Sequence, residues 1–147
     1  MRSRSAPGSA ATREAPLAGT LVLDGRPVPF QAGRSVLEVA RGIGLRIPTL
    51  CHHRKTGAPG RCRLCVVEVE GLRGLPSACT LAAREGMVVR TASPRVLAAR
   101  RTVVDPLLSS GDHHCLSCGK SGRCELQEAA YELGIEEAFA GGIAVIE

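Results

Sequence analysis

The stretch IPTLCHHRKTGAPGRCRLCVVEVEG, Ile47 to Gly71, decides how the rest of the chain is read. It leads through apolar residues to Cys51, crosses a loop rich in Gly, Pro and charge, and reaches Cys62 and Cys65 just before an alternating run. Cys79 completes a set spaced Cys-x10-Cys-x2-Cys-x13-Cys. A structural zinc site more often uses two close pairs, each on its own knuckle. Here one close pair is joined by two singletons from distant loops, which suits an iron–sulfur cluster pressed against one long loop. Gly57 and Gly60 let that backbone come close to inorganic sulfides, whose charge accepts N–H bonds. The run CVVEVEG alternates as a strand does, with Val67 and Val69 on one face and Glu68 and Glu70 on a solvated one.

Upstream, TLVLDGRPVPF places two short apolar runs around Asp24-Gly25, a hairpin signal. Pro27 and Pro29 put the second run at a sheet edge or bulge. Ser35 and Glu38 form a capping box for a helix over SVLEVARGIG, with Val36, Val39, Ala40 and Ile43 on one face. Gly42 and Gly44 stop it. Downstream, GMVVRT reads as a further strand, and Ser93-Pro94 as a helix start. In PRVLAARRTVVDPLLSSG the apolar residues are Val96, Leu97, Val103, Val104, Leu107 and Leu108, and Pro106 predicts a kink or break near Val103 to Asp105. A second helix, ELQEAAYELG, ends at Gly134. Strand, strand, helix, strand and strand, then helices, predict an α+β fold.

The chain has 147 residues, 44% of them hydrophobic, enough for one domain with a core plus an appendage. Phe30, Tyr131 and Phe139 are its aromatic residues, so the core must be aliphatic. That scarcity weighs against single-stranded nucleic-acid binding, which stacks bases on rings. The formal charge is +5, but the arginines are scattered and form no stripe. Seven cysteines cannot all pair within one chain. The opening MRSRSAPGSAATREAPLA lacks the apolar core of a secretory signal and reads as a flexible tail. No apolar run approaches a membrane span. A reducing, cytoplasmic setting follows, where cysteine clusters usually mean metal or redox chemistry.

With these motifs in place the sequence resembles a known family. IPTLCHH, CRLCVVEVEG and EGMVVRTASPRVLAARR are similar to the N-terminal iron–sulfur region of the G-type subunit of NADH-quinone oxidoreductase, a domain shared with iron-only hydrogenases and NAD-linked formate dehydrogenases. The resemblance covers roughly Leu21 to Ile135. It implies a β-grasp, ferredoxin-like domain with a [2Fe-2S] cluster on Cys51, Cys62, Cys65 and Cys79. It also implies a small, mainly helical segment with a [4Fe-4S] cluster on three cysteines and one histidine. The expected organisation is a tail over 1–18, a [2Fe-2S] domain over 19–92, a helical [4Fe-4S] segment over 93–140 and a second tail over 141–147.

GDHHCLSCGKSGRCELQ carries that second set. Cys115, Cys118 and Cys124 match the family's Cys-x2-Cys-x5-Cys followed by ELQ, but the position where relatives place the histidine is Gly111. Neighbouring side chains of extended backbone point oppositely, so His113, two before Cys115, can share the side of its thiol. Asp112 is a poor ligand for soft iron–sulfur chemistry. His113 is the expected fourth ligand, with His114, or no histidine at all, as alternatives. An imidazole in place of a thiolate removes a negative charge and raises the reduction potential. His52 and His53, beside Cys51, are expected to have packing or surface roles. Seven bound thiolates would remove seven charges and two oxidised cores return two each, leaving about +2. Arg61, Arg63 and Arg123 adjoin the expected ligands and would favour added electrons; the alternative for each is an ordinary solvated arginine, the more usual case singly.

No dinucleotide, flavin or phosphate loop is present, and no catalytic constellation stands out. The expected function is a one-electron relay from a flavin or ferredoxin-type donor to a larger oxidoreductase, such as an NADH dehydrogenase, hydrogenase or formate dehydrogenase complex, peripheral to a membrane. Any catalytic activity belongs to the partner. The family's long members continue into further cluster motifs, whereas this chain stops soon after Gly134, as a standalone module, a small subunit or a fragment would. The rival is a zinc-stabilised nucleic-acid-binding protein built on Cys-x2-Cys knuckles.

Overall fold

Asp24 and Gly25 turn the chain at φ 48° and 83°, the two positive values that a two-residue type I′ hairpin requires. Strand β1 (Leu17–Leu23) therefore pairs antiparallel with β2 (Arg26–Gln31), Leu23 facing Arg26. The structure, a computed structural model, describes residues 17–53, 57–110 and 113–135. Leu17 and Ala18, assigned from sequence to the leading tail, already belong to β1, while the rest of that tail and the tail over 141–147 lie outside the described residues.

Helix α1 (Val36–Gly42) follows, then two short strands, β3 (Glu68–Val69) and β4 (Val88–Arg90). The sheet order is β2-β1-β4-β3, with β1 and β4 parallel and the other pairs antiparallel. Pro27 and Pro29 thus lie on the edge strand, where a missing N–H costs no ladder bond. Helices α2 (Pro94–Ser109) and α3 (Glu125–Glu132) complete the order. The sheet and α1 enclose an aliphatic core of Leu21, Leu23, Val36, Leu37, Val67 and Val89, with Phe30 its one ring. This is the expected α+β architecture of a ferredoxin-like domain followed by a helical segment.

The capping box at α1 is formed on both sides: Ser35 N–H donates to Glu38 Oε2 at 2.8 Å, and Glu38 N–H to Ser35 Oγ at 3.3 Å. Those bonds and the Arg34 charge hold the Glu38 carboxyl below its usual range, against burial, with the backbone bond to Ser35 the largest cause. Two expectations need correction. Ile43 is 48% exposed rather than on the buried face, because α1 ends at Gly42 and Ile43 is its C-cap; Leu37 is fully buried in its place. Of the kink or break expected near Val103 to Asp105, the break does not form: α2 runs from Pro94 to Ser109 with Pro106 inside. The lost bond and ring clash cost about 3 kcal/mol, but Val104 and Leu108 on either side are buried in one cluster with α3, which offsets them.

That second cluster holds Leu64, Val104, Leu108, Ala129, Ala130 and Leu133. Leu64 comes from the loop between Cys62 and Cys65, so the first cysteine set is packed directly against the helical segment. Arg46 reinforces this by pairing with Glu128 and, at 2.8 Å, with Glu132. Arg101 donates twice to the Leu133 carbonyl, at 3.1 and 2.9 Å.

The hairpin turn is tied to the far end of β4. Thr91 donates to the Asp24 carboxylate from its backbone N–H at 2.7 Å and from Oγ1 at 2.6 Å. Hydrogen bonds to a charged group contribute about 1.5–3 kcal/mol. Asp24→Ala is therefore expected to lower unfolding free energy by about 2–3 kcal/mol, and Asp24→Asn, which tolerates the left-handed backbone, by less. Anaerobic denaturant titration checks the order.

Candidate metal centres

The first centre is assembled by backbone bonds between segments distant in sequence. The Cys65 carbonyl accepts the Ala78 N–H at 2.9 Å, Val67 N–H donates to Pro76 at 3.0 Å, and Val66 bridges to Ser77. Leu37 N–H at the start of α1 donates to Ala78 at 3.0 Å. Cys65 and Cys79 are therefore fixed on opposite sides of one short pairing, both buried. Cys51 and Cys62, both half-buried, meet where the Cys62 N–H donates to Cys51 Sγ at 3.4 Å. Arg41 reaches over from α1 to the approach, bonding His52 Nδ1 at 2.9 Å and Thr49 Oγ1 at 3.3 Å. His53 exchanges two backbone bonds with Gly57 across its own loop.

The loop between them has the backbone its glycines allow. Gly60 lies at φ 67°, and a Cβ there would stand 3.0 Å from Thr80 Cγ2. Arg63 also lies in the left-handed region, at φ 57°, turning the chain between Cys62 and Cys65; its guanidinium donates to Leu75 O at 3.2 Å.

The four thiols sense one another. Burial pushes Cys79 up to about 12, helped by its bond with the Cys65 thiol and by the charges of Cys65, Cys51 and Cys62. Burial works against ionising Cys62 too, yet backbone groups at Leu64, Leu50 and Cys51 and the Cys51 thiol outweigh it and lower this thiol. A buried thiol such as Cys79 resists charging alone, and a bound cation reverses that logic. Among the described residues no three His, Cys, Asp or Glu form a group that could hold a single metal ion. An iron–sulfur cluster spreads its ligands over several irons and makes no such demand. This donor set, with a backbone N–H on the Cys51 sulfur, fits a cluster.

The second centre lies in the turns between α2 and α3. His113, His114, Cys115, Cys118 and Cys124 line one cavity of about 280 Å³, with Ser117, Ser121 and Gln127. Burial raises the Cys115 thiol, and the charges of Cys118 and Cys124 raise it further. The turns are pinned by Ser121 N–H to Cys118 O at 2.9 Å and Gly122 N–H to Gln127 Oε1 at 2.9 Å. Lys120 N–H donates to Cys118 Sγ at 3.4 Å, and Cys124 is the N-cap of α3, where exposed N–H groups favour negative charge. This set also suits a cluster. Gly111 and Asp112 lie outside the described residues.

The two histidines differ. His113 Nε2 stands 2.9 Å from the Leu107 carbonyl at the end of α2. A carbonyl only accepts, so Nε2 carries the hydrogen and neutral His113 keeps its lone pair on Nδ1. His114 also lines the cavity, and its carbonyl accepts the Ser117 N–H at 3.1 Å.

Residues that sequence reasoning missed are those whose role is tertiary. Gln127 of the ELQ motif is buried and ties the Gly122 turn to α3. Arg41 and Leu64 brace the first loop. Arg100 is buried and donates to the Val66 carbonyl next to Cys65, whereas Arg61, Arg63 and Arg123 are all exposed, as the solvated alternative has it.

Comparison with known proteins agrees with this geometry. Residues 19–94 match the family described as 2Fe-2S iron-sulfur cluster binding domain, and residues 100–138 match the NADH-ubiquinone oxidoreductase-G iron-sulfur binding region. The NADP-reducing hydrogenase subunit HndD of Solidesulfovibrio fructosivorans is 43% identical over 129 residues, covering 84% of this chain and 22% of that protein. The mitochondrial NADH-ubiquinone oxidoreductase 78 kDa subunit of Candida albicans is 38% identical, covering 78% and 16%. The gamma subunit of the NAD-reducing hydrogenase HoxS of Cupriavidus necator is 37% identical, covering 77% and 47%. A crystal structure of NAD+-reducing [NiFe]-hydrogenase in the H2-reduced state superposes with a TM-score of 0.73 at 42% identity, over 80% of this chain and 50% of that one. The chain thus spans less than half the length of each of these curated relatives. No helix among the described residues is long and apolar enough to cross a membrane. Nothing in the fold or the relatives supports the zinc and nucleic-acid reading. A four-thiol loop on a ferredoxin-like sheet, a helical cysteine and histidine cavity beside it, and these matches give one result: the chain belongs to the 2Fe-2S iron-sulfur cluster binding domain family and, with its 4Fe-4S region, is an iron–sulfur electron-transfer protein.

Proposed function

We propose that the chain relays single electrons from a flavin or ferredoxin-type donor to a larger redox subunit. Its [2Fe-2S] cluster would be held by Cys51, Cys62, Cys65 and Cys79 in a domain over 19–92, and its [4Fe-4S] cluster by His113, Cys115, Cys118 and Cys124 in a segment over 93–140. The clusters, when bound, supply the one-electron chemistry. The polypeptide supplies the thiolates, the N–H groups on their sulfurs and the packing that holds both sites in one body.

The observation that carries this reading is the position of Leu64. It sits inside the first cysteine loop and inside the core of the second segment, so the two sites share one rigid connection. Relatives named for NAD- and NADP-linked hydrogenases and for NADH-ubiquinone oxidoreductase support partners of the flavin, NAD or hydrogenase type. The setting proposed with it is a cytoplasmic complex, peripheral to a membrane where a quinone is the acceptor; ubiquinone in the name of one relative accords with that acceptor. A reductive titration of the anaerobic full chain should take up about two electrons, one per cluster. Uptake of one electron with a single signal would remove the relay.

His113 is the proposed fourth ligand of the second cluster, through Nδ1, with Nε2–H held by Leu107. A ligating histidine usually donates its other ring N–H to a carbonyl or carboxylate, which fixes its tautomer. His113→Ala is expected to alter the second cluster's paramagnetic signal and lower its iron content, and His114→Ala to spare both. The reverse pattern would reassign the ligand.

A further inference from the structure

Arg100 projects from α2 to the backbone just after Cys65 and is only 5% exposed. One terminal nitrogen donates to the Val66 carbonyl at 2.9 Å, and Nε is buried without a hydrogen-bond partner among the described residues. None of the ion pairs formed among those residues includes it. A guanidinium stays charged in proteins and is costly to bury unless paired. A carbonyl dipole and one idle donor do not supply that pairing. The negative group whose charge acts most strongly on Arg100 is the Cys65 thiolate, ahead of Glu132 and Asp24; burial pushes its pKa down and these charges oppose the fall.

We infer that Arg100 is a positioning residue of the first metal centre, a buried cation that holds the Cys65–Val66 backbone and favours the reduced state of the [2Fe-2S] cluster. The inference rests on Cys65 being a ligand. With four thiolates the cluster carries about two negative charges oxidised and about three reduced. The electron changes one ferric iron to ferrous; no bond breaks and no proton moves. A cation shielded from water discriminates between those charge states far better than Arg61 and Arg63 can, since both are exposed and solvent and salt screen them.

The test uses the full chain, reconstituted anaerobically with both clusters, and an electron-resonance titration against dithionite with mediators. Arg100→Gln is expected to lower the one-electron reduction constant of the first cluster by tenfold or more, a fall of about 59 mV or more. Arg100→Lys, which keeps the charge, should lower it less than about threefold. Arg61→Gln should be silent, and the second cluster's potential should stay fixed in all variants as an internal reference. Equal shifts in the Gln and Lys variants, or an unmoved potential in a loaded Gln variant, would overturn the inference. So would failure of both variants to load the first cluster, which would leave Arg100 a purely structural role. Absence of the first cluster from the unmodified chain would instead defeat the ligand assignment beneath it.

Discussion

Cys65→Ala is expected to remove the first cluster and leave the second. Cys65 is 1% exposed, and its carbonyl is fixed by the Ala78 N–H at 2.9 Å. Once its thiolate is gone, water cannot readily take the position, and the sulfurs whose charges act on Cys79 all belong to the set of four. Ligand binding and folding are coupled in metal sites, so stability should fall with occupancy. Iron and acid-labile sulfide are expected to drop from about six to about four of each per chain, with the [2Fe-2S] resonance lost after dithionite reduction. Retention of that resonance would mean that Cys65 is not a ligand. Cys118 is the contrast: it is exposed, so Cys118→Ala should cost the second cluster with little effect on the first.

Leu64→Ala is expected to damage both sites although Leu64 carries no chemistry. Its side chain is fully buried among Val104, Leu108, Ala129, Ala130 and Leu133, with Leu50 and Cys62 against the same cluster. Large-to-small changes in such a core cost about 2–5 kcal/mol, the transfer of the lost methyl groups plus the cavity left behind. The loss should appear as a lower denaturation midpoint under anaerobic conditions. Faster amide exchange in α3 and reduced occupancy of the second cluster should accompany it, despite the substitution lying in the first loop. An unchanged α3 would show that the two segments are energetically independent.

How much of this was legible in the sequence follows from the range of each signal. Asp24-Gly25, the Ser35 and Glu38 box and Ser93-Pro94 are satisfied within four residues, and each forms as read. The cysteine spacing is visible in the sequence, but what brings Cys79 to Cys65 is tertiary, the backbone pairing of Cys65 and Val66 with Ser77 and Ala78. What failed needed tertiary information. Ile43 continued the helical period, but the helix had already ended at Gly42. Pro106 has a local penalty that burial of Val104 and Leu108 overrides. Arg100 reads as one of many scattered arginines until α2 lays it against Val66, 34 positions earlier. Arg61, Arg63 and Arg123, beside the proposed ligands, were open to a tuning role or to plain solvation, and the fold leaves them exposed.

The same division holds for the histidines. Backbone alternation favours His113 over His114, and the fold adds the contact that sequence could not supply, the Leu107 carbonyl six residues back at the end of α2. That bond leaves Nδ1 as the ring nitrogen with a lone pair for the proposed ligation.

The most direct measurement is metal and sulfide analysis of the anaerobically purified full chain, with electron resonance after dithionite. The account predicts brown protein with about six iron and six sulfide per chain and two distinct reduced-cluster signals. Colourless protein carrying zinc, or reduced protein without a resonance, would contradict it.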